Sequence, residues 1–219
     1  MFSLSSETIS TFRTEIISWF RNNGRPFPWR NTRNPYRVLI SEILLQRTRA
    51  VQVVPVYLNL ISSYPDIFSL SVADENDLSL LITPLGLRKR TRYLIDLAEE
   101  IVRRFDGVIP SDKNELISLP GIGTYTAHAV LSFAFNLPYP VVDSTVIRVF
   151  RRFLNLSYPG HKPNRKIMEI AEILMDNSDS RLYNYGLLDF AADVCSTYNP
   201  ECTVCPVSRL CANMLSSKS

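Results

Sequence analysis

Residues 119–127 read "LPGIGTYTA", and the first five of them, 119–123, lie between two predicted helices at 113–118 and 124–135. Five residues leave room only for a tight turn. Gly121 and Gly123 permit backbone angles closed to other residues and leave no Cβ over the neighbouring amides. Those amides, with the N-terminus of the helix that begins near Thr124, would suit one phosphate oxygen. Ile122 is expected to point inward. By pattern alone, a plain helix connection fits as well.

Outward from this turn, helical periodicity dominates and strand alternation is nearly absent, which predicts an all-α protein. A first amphipathic helix ends before Asn22. The segment 37–62 is predicted to be helical and is apolar on nearly all sides for its first three turns, with Glu42 in their midst. Further helices are predicted at 75–82, 89–105, 144–154, 164–175 and 182–194.

Composition and charge are those of an ordinary soluble domain. The chain has 219 residues, 46% of them hydrophobic and 21% charged, with a net charge of +3. No apolar run reaches bilayer length and the N-terminal residues do not read as a targeting segment, so no membrane partner is expected. We expect a reducing cytoplasm or nucleoid. Basic clusters at 87–92 and 148–153 suit a polyanion, although solvated helix faces give the same pattern.

All four cysteines fall near the C-terminus, in the pattern C-x6-C-x2-C-x5-C formed by Cys195, Cys202, Cys205 and Cys211. Clustered thiols in a reducing compartment favour a metal site over disulfides. The spacing fits a compact iron–sulfur cluster, and four thiolates also satisfy tetrahedral zinc.

Three stretches of the sequence resemble those of a known family. "LPGIGTYTAHAVLSFAF", followed by Asp143 in "VVDSTVIRVF", resembles the helix-hairpin-helix DNA glycosylases of the endonuclease III superfamily. "FPWRNTRNPYRVLISEILLQRT" at 27–48 resembles their MutY-type adenine and thymine-mismatch branch. The cysteine spacing resembles that branch's cluster loop. The match runs over nearly the whole chain.

The resemblance implies a two-lobed all-α fold. A six-helix barrel would span 23–133, with the helix-hairpin-helix at about 113–135. Residues 1–22 and 134–219 would form the second lobe, and DNA would lie in the cleft between the lobes. The cysteine loop, 195–211, would hold a 4Fe-4S cluster that orders the C-terminal segment without taking part in hydrolysis.

Two carboxyl groups are the candidate catalytic residues. Cleaving the bond between sugar and base develops positive charge on the sugar and negative charge on the base, so an anion and a proton donor both lower the barrier. Asp143 matches the family's catalytic aspartate, although a plain helix N-cap is the alternative. Glu42 matches the catalytic glutamate, and burial should raise its pKa. Alternatively it pairs with Arg37 or Arg47.

Tyr125 occupies the position where bifunctional members of the superfamily carry a lysine. A phenol cannot form the Schiff base by which a lysine amine cleaves the strand. We therefore expect a monofunctional enzyme that leaves an abasic site. A tyrosine packed beside the turn is the structural alternative.

Attack on the glycosidic bond requires the nucleotide to leave the base stack. By family position, Gln46 or Arg47 would fill the vacancy and Leu87 would wedge the opposite strand, although Leu87 also reads as an ordinary loop leucine. Leu187 matches a position that lines the base pocket. Thr145 stands where relatives have Asn or His, which leaves the hydrogen bond of that side chain in doubt.

These features predict a monomeric base-excision-repair DNA glycosylase acting on double-stranded DNA with a mismatched or deaminated base. Thymine or uracil opposite guanine is favoured, because "EILLQRT" resembles the thymine-mismatch type and the chain ends eight residues after Cys211, without the oxoguanine-reading domain usual in MutY-type enzymes. A truncated adenine glycosylase is the enzymatic alternative, and a non-catalytic binder of DNA structures is the other.

Overall fold

A computed structural model describes residues 4–86 and 90–216, and these residues form helices and no strands. The α-helices of the described residues are α1 (Ser6–Asn23), α2 (Pro35–Leu45), α3 (Ala50–Ser63), α4 (Ile67–Ser71), α5 (Glu75–Ile82), α6 (Thr91–Phe105), α7 (Lys113–Ile117), α8 (Thr124–Phe135), α9 (Ser144–Phe153), α10 (Arg165–Leu174), α11 (Ser180–Asp193) and α12 (Ala212–Ser216). None of the described helices is long and apolar enough to cross a bilayer.

The chain divides into two compact units. The central unit is Pro26–Phe135, and the terminal unit combines Met1–Arg25 with Asn136–Ser219. The sequence analysis sets the central boundaries at 23–133, and the barrel architecture within them stays a prediction.

Helix α2 is the core helix of the central unit. It begins at Pro35, after Asn34 accepts a hydrogen bond from the backbone N–H of Arg37. Eight of its eleven residues are buried, and it packs against α8, in which Thr126 through Ala134 are buried. A helix buried on nearly all sides explains the apolar run seen in the sequence.

The predicted helical segment 37–62 is not one helix, which corrects the sequence-based prediction. The structure ends α2 at Leu45 and begins α3 at Ala50. Arg47 takes a left-handed backbone conformation, with φ of 61°. Arg90 donates to the carbonyl oxygens of Ile43 and Gln46 at 2.9 Å each, so a cation from elsewhere in the chain satisfies the carbonyls exposed by the break.

In the terminal unit, α1 packs along α11. The contact is close: a Cβ at Gly186 would lie 3.0 Å from Phe20 and 3.1 Å from Ile16. Helix α9 buries one face against the same core, where the rings of Phe12 and Phe153 lie 4.5 Å apart. This packing holds the start of α9, and Asp143 with it, on a rigid support.

Candidate active site

Glu42 lies in the middle of α2 with 5% of its surface exposed. Burial raises its pKa from the ordinary 4.5 to about 7, and the positive charge of Arg30 opposes that rise. Within the described parts of the chain, its carboxyl forms no hydrogen bond or ion pair, so the alternative of pairing with Arg37 or Arg47 is not observed. A carboxyl in this setting can carry a proton near neutral pH.

The break between α2 and α3 contains the two residues predicted to fill the space left in the DNA. Arg47 is exposed at the turn, and Gln46 is half-buried, with its side-chain amide donating to the Thr126 hydroxyl at 3.4 Å. Gln46 also offers its backbone carbonyl to Arg90. The break therefore fixes the backbone of Gln46 while the Arg47 side chain extends into solvent.

Of the two glycines in the turn that precedes α8, Gly121 has the predicted left-handed backbone and Gly123 does not. Gly121 has φ of 60°, and a Cβ there would lie 2.2 Å from the ring of Tyr93, so both backbone and packing require glycine. A Cβ at Gly123 would meet nothing within 4 Å. Ile122 is only 4% exposed, which confirms that it points inward.

Backbone donors at this turn are available to an anion. In the part of the chain that the structure describes, the amides of Gly121, Gly123 and Thr124 have no acceptor. The first of these lies in a left-handed turn, and the last opens a helix of twelve residues. This arrangement can bind one phosphate oxygen. Tyr125 follows directly and is 37% exposed.

Asp143 is the N-cap of α9. Its Oδ1 accepts from the backbone N–H of Thr145 at 2.8 Å, from the Thr145 hydroxyl at 2.6 Å and from the N–H of Val146 at 2.9 Å. The side chain is therefore a cap, as the alternative interpretation held, and the cap also holds a carboxylate at a helix N-terminus. A fixed anion of this kind can stabilise a developing cation.

The four cysteines line one cavity of about 40 Å³ in the terminal unit. Its other walls are mostly apolar, with Val149, Phe153, Phe190 and Val194 among them. Burial raises the pKa of the Cys205 thiol to about 11 and also raises that of Cys211. Four thiols around one mostly apolar pocket fit a sulfur-ligated cluster in donor chemistry. The described residues do not form a ready group of three or more ligands around a single metal ion.

Two arginines of α9 bind the backbone of this loop, a role that no sequence motif predicted. Arg148 donates to the carbonyl oxygens of Cys195 at 2.9 Å and Ala191 at 2.6 Å. Arg152 donates to those of Ser196 at 2.6 Å and Thr197 at 2.9 Å. Part of the basic cluster 148–153 therefore binds backbone carbonyls at and just after the end of α11. The partners lie more than forty residues apart in sequence, so no local signal indicated these contacts.

Two further residues are predicted to contact the DNA. Leu187 is 2% exposed within the hydrophobic core of the terminal unit, and its contact with a base stays a prediction. Leu87 lies outside the described residues.

An ion pair that was not predicted from the sequence joins the two chain segments of the terminal unit. Asp189 of α11 is fully buried, and its carboxylate accepts from the backbone N–H of Arg25 at 2.9 Å and from the Arg25 Nε at 2.7 Å. Because the carboxylate is bonded to both groups, its burial costs far less than that of an unpaired charge. The pair fixes the chain at Arg25, where the terminal unit passes into the central unit.

Comparison with known proteins adds to this geometry. A family model described as the HhH-GPD superfamily of base excision DNA repair proteins matches residues 40–175. A thymine-DNA glycosylase from Aeropyrum pernix is 36% identical over 217 residues, which are 96% of this chain and 97% of the relative. A thymine/uracil-DNA glycosylase from Pyrobaculum aerophilum is 37% identical over 203 residues, covering 90% of this chain and 88% of the relative.

The same similarity holds in three dimensions. A solved structure of a thermostable thymine-DNA glycosylase matches with a TM-score of 0.91 at 32% identity, covering 96% of this chain and 98% of that one.

By sequence, an adenine DNA glycosylase from Buchnera aphidicola is also similar. It is 32% identical over 96% of this chain, which spans 60% of that relative's length.

Proposed function

This chain belongs to the HhH-GPD superfamily of base excision DNA repair proteins, and on that premise we propose that it removes thymine and uracil opposite guanine from double-stranded DNA. The predicted family, the all-α helix-hairpin-helix fold and the DNA N-glycosylase activity are confirmed. The choice of base is our proposal. It is supported by the similarity to thymine and thymine/uracil glycosylases along nearly their whole lengths.

One structural observation carries the mechanism: the two candidate carboxyl groups have opposite environments. Glu42 is buried without a hydrogen-bonding partner among the described residues, and its pKa of about 7 leaves a proton on it near neutral pH. Asp143 accepts three hydrogen bonds at Oδ1 at the start of α9, which fix the orientation of its carboxyl group. Acid-assisted glycosidic cleavage needs a proton donor and a stabilising anion, and these two side chains can supply them.

We assign the steps accordingly. The electrons of the glycosidic bond move onto the base as it departs, and Glu42 donates its proton to that base. The Asp143 carboxylate stabilises the oxocarbenium-like sugar that remains. A water then adds to the sugar carbon and releases a proton to solvent, which leaves an abasic site. Because Tyr125 supplies no amine, no Schiff base forms and the strand stays intact.

Three residues matched by family position would extrude the nucleotide. Gln46 or Arg47 would fill the vacated stack and Leu87 would wedge the opposite strand, at a cost of a few kcal/mol for unstacking. The open amides of Gly121, Gly123 and Thr124 would hold a phosphate. Leu187 would border the base. We further propose that the protein acts as a monomer.

Cys195, Cys202, Cys205 and Cys211 would hold a 4Fe-4S cluster. The four thiols around one cavity support this assignment, as does the cluster common in the endonuclease III superfamily. When bound, the cluster supplies a covalent cross-link of the C-terminal loop and no chemistry at the sugar. The arginines at 148 and 152 meanwhile hold the backbone of that loop.

A panel of duplexes tests the proposal. Base release from T·G, U·G, A·G and A·oxoguanine pairs is measured by strand breakage after alkali. We expect release from U·G and T·G, with U·G faster because the thymine methyl group only adds bulk to the leaving base. Breakage confined to the adenine duplexes would instead identify an adenine glycosylase. Breakage without alkali would contradict the monofunctional assignment.

A further inference from the structure

The hydrogen bonds of Asp143 are unevenly divided between its two oxygens. The hydroxyl of Thr145 and the two backbone amides all bond to Oδ1. Across residues 4–86 and 90–216, Oδ2 has no donor. Rotation of the carboxylate would break three bonds at once, so the group is held in one orientation with Oδ2 left open.

Of the three hydrogen bonds to Oδ1, only the bond from the hydroxyl depends on the side chain at position 145. Any residue at 145 other than proline would supply the backbone N–H, and Val146 supplies the other amide. The hydroxyl bond, at 2.6 Å, is the shortest of the three. Its geometry is that of a strong charge-assisted hydrogen bond.

The nearby cation does not replace this bond. The charge of Arg148 is close enough to interact with Asp143, but its guanidinium donates to the carbonyls of Cys195 and Ala191. The guanidinium of Arg148 therefore does not occupy Oδ2.

From this geometry we infer that Thr145 is a positioning residue for base release, whose hydroxyl turns Asp143 so that Oδ2 faces the sugar. The inference rests on the proposed function, since it assigns Asp143 to the sugar cation. It gives Thr145 a role although relatives carry Asn or His there.

The turn that begins at Asp176 provides a matched control, because its hydrogen bonds have a purely structural role. Asp176 accepts at Oδ1 from the Ser178 N–H at 2.8 Å, from the Ser178 hydroxyl at 2.6 Å and from the Asp179 N–H at 3.0 Å. This turn reproduces the bonds of 143–146 in the same unit. Removing its hydroxyl should cost a comparable amount of stability without touching the reaction.

The test measures single-turnover base release from U·G and T·G duplexes by wild type, Thr145→Val, Thr145→Ser and Ser178→Ala. DNA affinity and thermal stability are measured for each. We expect Thr145→Val to release base about tenfold more slowly, the loss expected for one hydrogen bond to a charged group, with unchanged DNA affinity. Thr145→Ser should recover most of the rate, and Ser178→Ala should keep all of it.

Three results would overturn the inference while wild type is active. They are a wild-type rate in Thr145→Val, no recovery in Thr145→Ser, and an equal loss in Ser178→Ala, which would make the effect one of stability. If wild type itself releases neither base, the proposed function falls and this role falls with it.

Discussion

Burial of the Glu42 carboxyl lowers the free energy of unfolding when the group is ionised. Its pKa is about 7 in the folded protein and near the ordinary 4.5 in an unfolded chain. Between these values the folded state binds more protons than the unfolded state, so stability falls as pH rises through this window. Above pH 7 the full penalty applies, on the order of 3 kcal/mol.

Replacing this carboxyl should therefore separate stability from activity. We expect Glu42→Gln to melt several degrees higher than wild type at pH 8, to gain little at pH 4.5, and to release base at least about a hundredfold more slowly. Thermal melts at the two pH values and single-turnover rates check this.

Glu172→Gln serves as the control, because Glu172 is exposed on α10. It should change neither melting nor rate. A Glu42→Gln variant that is equally stable at both pH values, or that keeps its activity, would contradict a buried proton donor.

Among single residues, the sequence predicted Glu42 and its raised pKa well, because an acid inside an apolar helix has few ways to avoid burial. It predicted Thr145 poorly. A motif shows which residue departs from the family, but the bond from the Thr145 hydroxyl to Asp143 depends on the backbone turn at 143–146.

In the helix-hairpin-helix, the two glycines should have different functions. Gly121 has a left-handed backbone and contacts Tyr93, whereas Gly123 lies outside the left-handed region and faces open space. We expect Gly121→Ala to lower the free energy of unfolding by roughly 1–3 kcal/mol. Gly123→Ala should leave stability unchanged and weaken duplex binding about tenfold, since its methyl group would crowd a phosphate.

Denaturant unfolding and binding titrations on both variants separate the two roles. Gly86→Ala is a suitable control, because Gly86 also has positive φ but a Cβ there meets nothing within 4 Å. The account of the hairpin fails if Gly123→Ala binds DNA as wild type does, or if Gly121→Ala is as stable as Gly86→Ala.

The break between α2 and α3 shows where reading helices from sequence stops. Residues 37–62 keep an apolar pattern, and no glycine marks the turn at 46–49. The turn is stabilised by Arg90, which lies more than forty residues further along the chain and binds the freed carbonyls. A partner that distant in sequence leaves no local signal.

The four cysteines predict the metal content of the whole molecule. If the four thiols hold a 4Fe-4S cluster, purified protein should contain about four iron and four sulfide ions per chain and little zinc. Elemental and sulfide analysis measures this. Cys202→Ser should lose iron and Ser208→Ala should keep it, whereas about one zinc ion per chain in wild type would establish the tetrahedral alternative.

Specificity for the base is the property that the sequence predicts least. The candidate catalytic acids and the family fold follow from the resemblance of local motifs, and the all-α class follows from helix patterns. The choice among thymine, uracil and adenine depends on the shape of a pocket, in which one methyl group changes binding by about 1–3 kcal/mol. Motifs do not encode differences of that size.

The central claim is that a carboxylate at Asp143 and a proton on Glu42 together release the base. The most direct test is single-turnover base release from a U·G duplex by Asp143→Asn, with duplex affinity measured on the same protein. The account predicts a loss of at least about a hundredfold in rate with affinity unchanged within a few-fold. Base release by Asp143→Asn at the wild-type rate would contradict it.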